Sequence, residues 1–185
     1  FELRLNFNHP YIAANPSDFW RRWHISLSTW LRDYLYIPLG GNRQGAARTY
    51  WNLWLTMLLG GLWHGARWNF VYWGAYHGVV LMLPRILKPL MARVRAPDGA
   101  VVRVGWHVLK VLFMFQVVCV GWLLFRASNH NAGEIAVLFA KAFTLEGAVD
   151  WSLLLPIAKF AGPLIVIDLL QVAAGRSELH RVAGV

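Results

Sequence analysis

His64 lies in the run Leu59-Gly60-Gly61-Leu62-Trp63-His64-Gly65-Ala66, an ionisable side chain inside an apolar, glycine-interrupted segment. Burial at membrane depth is costly for such a group, so its presence there is a functional hypothesis by default. Histidine exchanges protons near neutral pH and can serve as a general base or acid. The alternative is a neutral imidazole that hydrogen-bonds a carbonyl freed by the glycines, and spacing weighs the two evenly. His24 is the second candidate. At 100° per residue it falls within the stripe Trp20, Trp23, Leu27, Trp30, Leu31 and Tyr34, while Arg21, Arg22, Ser28, Arg32 and Asp33 fall outside it. His77 precedes Gly78 on a close-packing face and reads as structural. His9, His107, His130 and His180 fall in loops or at segment ends.

Several other chemistries are excluded. The chain holds no G-x-S-x-G elbow, no H-E-x-x-H and no G-x-x-x-x-G-K-[ST] loop. Gly40-Gly41-Asn42-Arg43-Gln44-Gly45 is glycine-rich but lacks the Lys-Ser/Thr that grips a phosphate, so it reads as a turn. Its one cysteine, Cys119, rules out an internal disulfide and a paired-cysteine zinc site, and no metal is expected. Asp18 and Asp33 flank a basic helix, where Asp18 can pair with Arg22 at i, i+4.

The elements that would position these histidines are helices in or on a membrane. Of 185 residues, 57% are hydrophobic and only 15% charged, against about 45–50% and about 25% in soluble domains. Eleven tryptophans fit a bilayer boundary. The net charge of +9 comes from arginines and lysines that flank apolar segments. They read as topology determinants, and no nucleic-acid partner is expected.

The expected fold class is therefore all-α, a polytopic integral membrane protein with lipid as a partner. Residues 1–50 read as a loop followed by an interfacial amphipathic helix that starts at Ser17-Asp18 and is ended by Pro38. Residues 51–84 read as a broken or re-entrant helical pair, interrupted by Gly60, Gly61 and Gly65. Residues 104–125 and 153–174 read as transmembrane helices. Arg85, Lys88, Arg93, Arg95 and Arg103 in one loop outnumber Lys141 in the next, which puts residues 85–103 in the cytoplasm. The chain opens at Phe1-Glu2-Leu3-Arg4, with no initiator Met, and is expected to be a piece of a larger membrane protein.

Three linked motifs carry a resemblance. They are Asp18-Phe19-Trp20-Arg21-Arg22-Trp23-His24-Ile25-Ser26, Tyr36-Ile37-Pro38-Leu39-Gly40-Gly41-Asn42, and Leu62-Trp63-His64-Gly65 followed by Trp73-Gly74 and His77-Gly78. In this order they resemble the membrane-bound O-acyltransferase family, nearest its bacterial branch of alginate O-acetyltransferases and related polysaccharide acetylases. The match is tight over residues 6–85. It implies a multi-helix membrane core of which this chain is the C-terminal portion, in the bacterial cytoplasmic (inner) membrane and crossing it several times. By the family pattern, His64 is the catalytic histidine and His24 the second polar residue of the site. Trp20, Trp23, Trp63 and Trp68, with Asn42 and His77, are expected to line the substrate tunnel. The implied chemistry carries an acyl group, acetyl by the branch, from a cytosolic thioester (acetyl-CoA or an acyl carrier) to hydroxyls of an extracytoplasmic polysaccharide such as alginate. Transfer would be direct or through a periplasmic partner protein, with no bound cofactor. D-alanyl transfer by the same family, or a transporter or channel subunit whose broken helices line a pathway, are the competing readings.

Overall fold

In the computed structural model the described residues are 5–92 and 99–127, with 133, 134 and 137. Chain contacts divide the protein into two compact units, Phe1–His130 and Asn131–Val185. The first unit carries both candidate histidines, His24 and His64. The expected helix 153–174 and most of the loop before it lie outside the described residues.

The amphipathic helix expected after residue 16 is three short pieces. Helix α1 spans Pro16–Arg22 and α2 spans Ile25–Leu31, and a π-helical turn over Arg32–Tyr36 follows. The N-cap is Asn15, just ahead of the expected start: its side chain accepts the Asp18 N–H at 2.9 Å, and Pro16 occupies the first helical position. The Asp18–Arg22 pair forms at 3.0 Å. Periodicity misses the break because His24 adopts left-handed backbone, φ 43° and ψ 57°, which only glycine adopts without cost. The strained residue is held from outside. Asn6 accepts the Ile25 N–H with its carbonyl (2.9 Å), and its side-chain oxygen accepts the Ser26 N–H (3.0 Å) and hydroxyl (2.6 Å).

Helix α3, Gly45–His64, and helix α4, Trp68–Ile86, form an antiparallel hairpin. This corrects the expectation of interruption: Gly60 and Gly61 lie inside a continuous helix, and the break is confined to Gly65-Ala66-Arg67. The glycines serve packing. A methyl group on Gly74 would stand 2.5 Å from the Met57 carbonyl oxygen and 2.9 Å from the Leu58 Cα, and one on Gly61 would strike the Phe70 carbonyl. The two backbones touch because neither has a side chain there. Gly65 then turns the chain at φ 152°. At the other end, Asn52, fully buried, donates to the carbonyls of Leu39 and Gly41 (3.1 and 3.0 Å) and fastens the preceding turn to α3.

The short helix α5, Lys88–Met91, precedes α6, Ala100–Arg126, which runs a turn beyond the expected 104–125 at its N-terminal side. Among the described residues α6 is the one helix long and apolar enough to cross a membrane. Its inner face packs on α4, where Tyr76 donates to the Val117 carbonyl (2.8 Å) and Asn69 to that of Phe125 (2.7 Å). A core of Ala13, Phe19, Met114 and Val118 joins α6 to α1, with Trp20, Trp23 and Trp122 against it. The described residues contain helices and turns and no strand.

Candidate functional site

His64 is the last residue of α3, half-buried, with the chain turning away at Gly65. Four rings surround it: Trp63 and Phe125 at 5.1 Å, Trp73 at 5.3 Å and Phe70 at 6.0 Å between centroids. Trp73 and Phe125 present their faces or edges at 90° and 84°, as aromatic pairs prefer. An imidazole at a helix end, walled by rings yet still accessible, has what a proton-transfer group requires.

His24 is an electrostatic neighbour of His64, close enough for one charge to act on the other. The αL turn between α1 and α2 brings it there, and its Nδ1 is buried without a hydrogen-bond partner among the described residues. The His24 ring packs on Phe7 and the His64 ring on Trp63, Phe70, Trp73 and Phe125, so the two histidines are electrostatic neighbours without ring contact.

The expected lining residues divide. Trp20 lies at the centre, with its ring 5.8 Å from Trp73 and 5.2 Å from His77. Its other side borders a mainly apolar cavity of about 200 Å³, shared with Leu31, Arg32, Tyr36, Met57 and Leu81. Burial at that wall raises the Tyr36 phenol above its ordinary value, while the Arg32 hydrogen bond holds the exposed Asp33 carboxyl below the usual carboxylate range. Trp23 packs with Phe7, Phe19 and Trp122, of which Phe19 also touches Trp20 and Trp122 also touches Phe125. Trp63 touches His64, but its residue is 59% exposed.

Two expected lining residues lie at the surface of the described residues. Trp68 is 71% exposed and stacks on Tyr72. Asn42 is exposed in the turn before α3, so the 20-residue helix, about 30 Å long at 1.5 Å per residue, separates it from His64. His77 is 3% exposed, with Trp73 at 4.8 Å and its Nε2 facing Gly121 of α6. It is part of the wall behind Trp73.

Sequence reasoning quotes Trp73 in a motif without assigning it to the site, and passes over Phe125, Phe70 and Asn69. The three aromatics look like any residue of an apolar run. Trp73 had a findable signal, since it lies four residues before His77 on one helix face.

Comparison with known proteins adds to this geometry. The model of the membrane-bound O-acyltransferase family matches residues 4–125. The probable alginate O-acetylase AlgI of Azotobacter vinelandii is 54% identical over 83% of the chain and 28% of its own length. The peptidoglycan O-acetyltransferase of Helicobacter pylori is 44% identical over 69% of the chain and 23% of its own. The teichoic acid D-alanyltransferase of Bacillus subtilis is 29% identical over 68% and 33%. The chain therefore spans about a quarter to a third of the length of these relatives.

Proposed function

The chain belongs to the membrane-bound O-acyltransferase family, and from that premise we propose that it carries the histidine site of an enzyme acetylating the hydroxyls of an extracytoplasmic polysaccharide. The observation that carries the proposal is the accessible His64 at the end of α3, caged by four rings. The donor is a cytosolic thioester. A hydroxyl is a weak nucleophile at neutral pH, so His64 takes its proton as oxygen attacks the thioester carbonyl. The C–O bond forms, the C–S bond breaks, and the proton passes from the imidazolium to the departing thiolate. His24 orients His64 or donates to the oxyanion as it develops. The apolar cavity beside Trp20 suits the arm of the donor, and the aromatic wall keeps water from hydrolysing it.

Alginate is the acceptor that the Azotobacter relative's name favours, directly or through a partner protein. D-alanyl transfer has the support of the more distant Bacillus relative. The setting is the bacterial inner membrane, crossed several times, with the arginine-rich 85–103 loop in the cytoplasm.

The test supplies acetyl-labelled thioester and polysaccharide to membranes containing the complete protein. Label should reach the polysaccharide, and His64→Gln, which can hydrogen-bond but not accept a proton, should lower transfer per molecule by roughly 10²–10⁴-fold. Undiminished transfer by that variant removes the general base from the proposal.

A further inference from the structure

We propose that Asn69 is a positioning residue that holds the Phe125 ring against His64 and so keeps water from competing with the acyl acceptor. The proposal rests on the acyl-transfer reading above. A helix ends with four carbonyls that have no donor within it. At the end of α6, those of Leu123 and Leu124 take the Ala127 N–H, at 3.1 and 3.3 Å. The Phe125 carbonyl instead accepts the Nδ2–H of Asn69, from the first turn of α4, at 2.7 Å. Asn69 is 2% exposed, and its Oδ1 has no hydrogen-bond partner among the described residues.

Burying a primary amide among apolar side chains is unfavourable unless its hydrogen bonds are made. Packing alone would be served better by leucine, so the donated bond is what the amide contributes. That bond fixes the last turn of α6, from which the Phe125 ring extends edge-on to His64 (5.1 Å, 84°) and closes against Phe70 (4.9 Å) and Trp73 (5.6 Å). Without the donor this helix end frays, the ring withdraws and water gains the imidazole. Water then attacks the thioester carbonyl in place of the sugar hydroxyl. The C–S bond breaks as before, giving free carboxylic acid and thiol.

The readout is the ratio of thioester hydrolysed to acetyl transferred, measured with acetyl-CoA as probe in membranes containing the complete protein. Protein abundance cancels from this ratio, so a merely structural role would not move it. A net hydrogen bond of about 0.5–1.5 kcal/mol corresponds to a rise of about 2–10-fold for Asn69→Leu. Phe125→Ala should raise the ratio at least as far, and Asn69→Leu added to Phe125→Ala should change nothing more. Asn69→Gln, which keeps the donor, should recover part of the loss and serves if the leucine variant does not accumulate. An unchanged ratio in Phe125→Ala, or effects that multiply in the double variant, overturns the proposal. His64→Gln separates the two readings. Loss of both reactions in it leaves Asn69 to be judged by the ratio, whereas undiminished transfer sinks the acyl-transfer reading itself.

Discussion

His64 and His77 occupy the same helical hairpin and share a wall, since Trp73 lies 5.3 Å from one and 4.8 Å from the other. Their surroundings are otherwise opposite. His64 ends a helix beside a glycine turn and remains half-exposed. His77 sits mid-helix at 3% exposure, enclosed by Trp20, Trp73, Tyr76 and the Gly121 backbone. Ring neighbours alone therefore do not distinguish the two histidines. Access does, and access here comes from the place where the helix stops.

The largest effect expected from this contrast is its direct exchange. His64→Gln should lose about 10²–10⁴-fold in transfer per molecule while its abundance in the membrane holds. His77→Gln should do the reverse, keeping transfer per molecule within a few-fold and losing roughly 1–3 kcal/mol of stability, because it buries a primary amide without hydrogen-bond partners at a closed site. Acetyl transfer normalised to intact protein, beside thermal unfolding in detergent, reads both quantities. A His77→Gln protein that accumulates normally yet fails to transfer would break the comparison.

A smaller effect sharpens it from the other side of the contact. A methyl group at Gly121 would stand 2.5 Å from the His77 Nε2 and 3.0 Å from its Cε1. Alanine gains about 1 kcal/mol over glycine in a helix interior, but overpacking costs about 1–3 kcal/mol, and the enclosed imidazole has little room to yield. Gly121→Ala should therefore lower the unfolding temperature. In a His77→Ala background the same change should be neutral or stabilising, because the clash is gone. Equal effects in both backgrounds would mean that His77 does not seat α6.

How far the sequence reveals this arrangement depends on what each residue does. His64 and His24 are legible because an ionisable group in an apolar stripe is conspicuous in one dimension. The arginine-flanked α6 is legible by its length. Gly60 and Gly61 read as breaks, yet they lie within a continuous run of α3. A missing Cβ serves bending and close approach equally, and only the partner helix decides which. The break at His24 is illegible for the opposite reason: its left-handed backbone is stabilised by Asn6, 18 residues away, and local propensity opposes it. Asn69 is invisible because its partner, the Phe125 carbonyl, is a backbone group 56 residues distant. Trp68 looks like a wall of a tunnel, but the rotation of α4 that carries Trp73 inward leaves it largely outside.

The smallest expected effect concerns the third histidine of the comparison. The left-handed turn at His24 is held by the strap formed by residues 5–9, whose hold on α2 centres on Asn6. Asn6→Ala keeps the backbone bond to Ile25 but removes both bonds to Ser26. These bonds are exposed, so each is worth at most about 1 kcal/mol net, and water replaces part of what is lost. Abundance should barely change. Transfer should fall about 2–5-fold, since fewer bonds hold the strained αL turn from outside and the His24 ring is less fixed. Combining Asn6→Ala with His24→Ala tests that route. If the strap acts through His24, the double variant should be no slower than His24→Ala alone. A further multiplicative loss would mean that the strap supports the site by another path, such as the Phe7 ring packed 4.7 Å from Trp23.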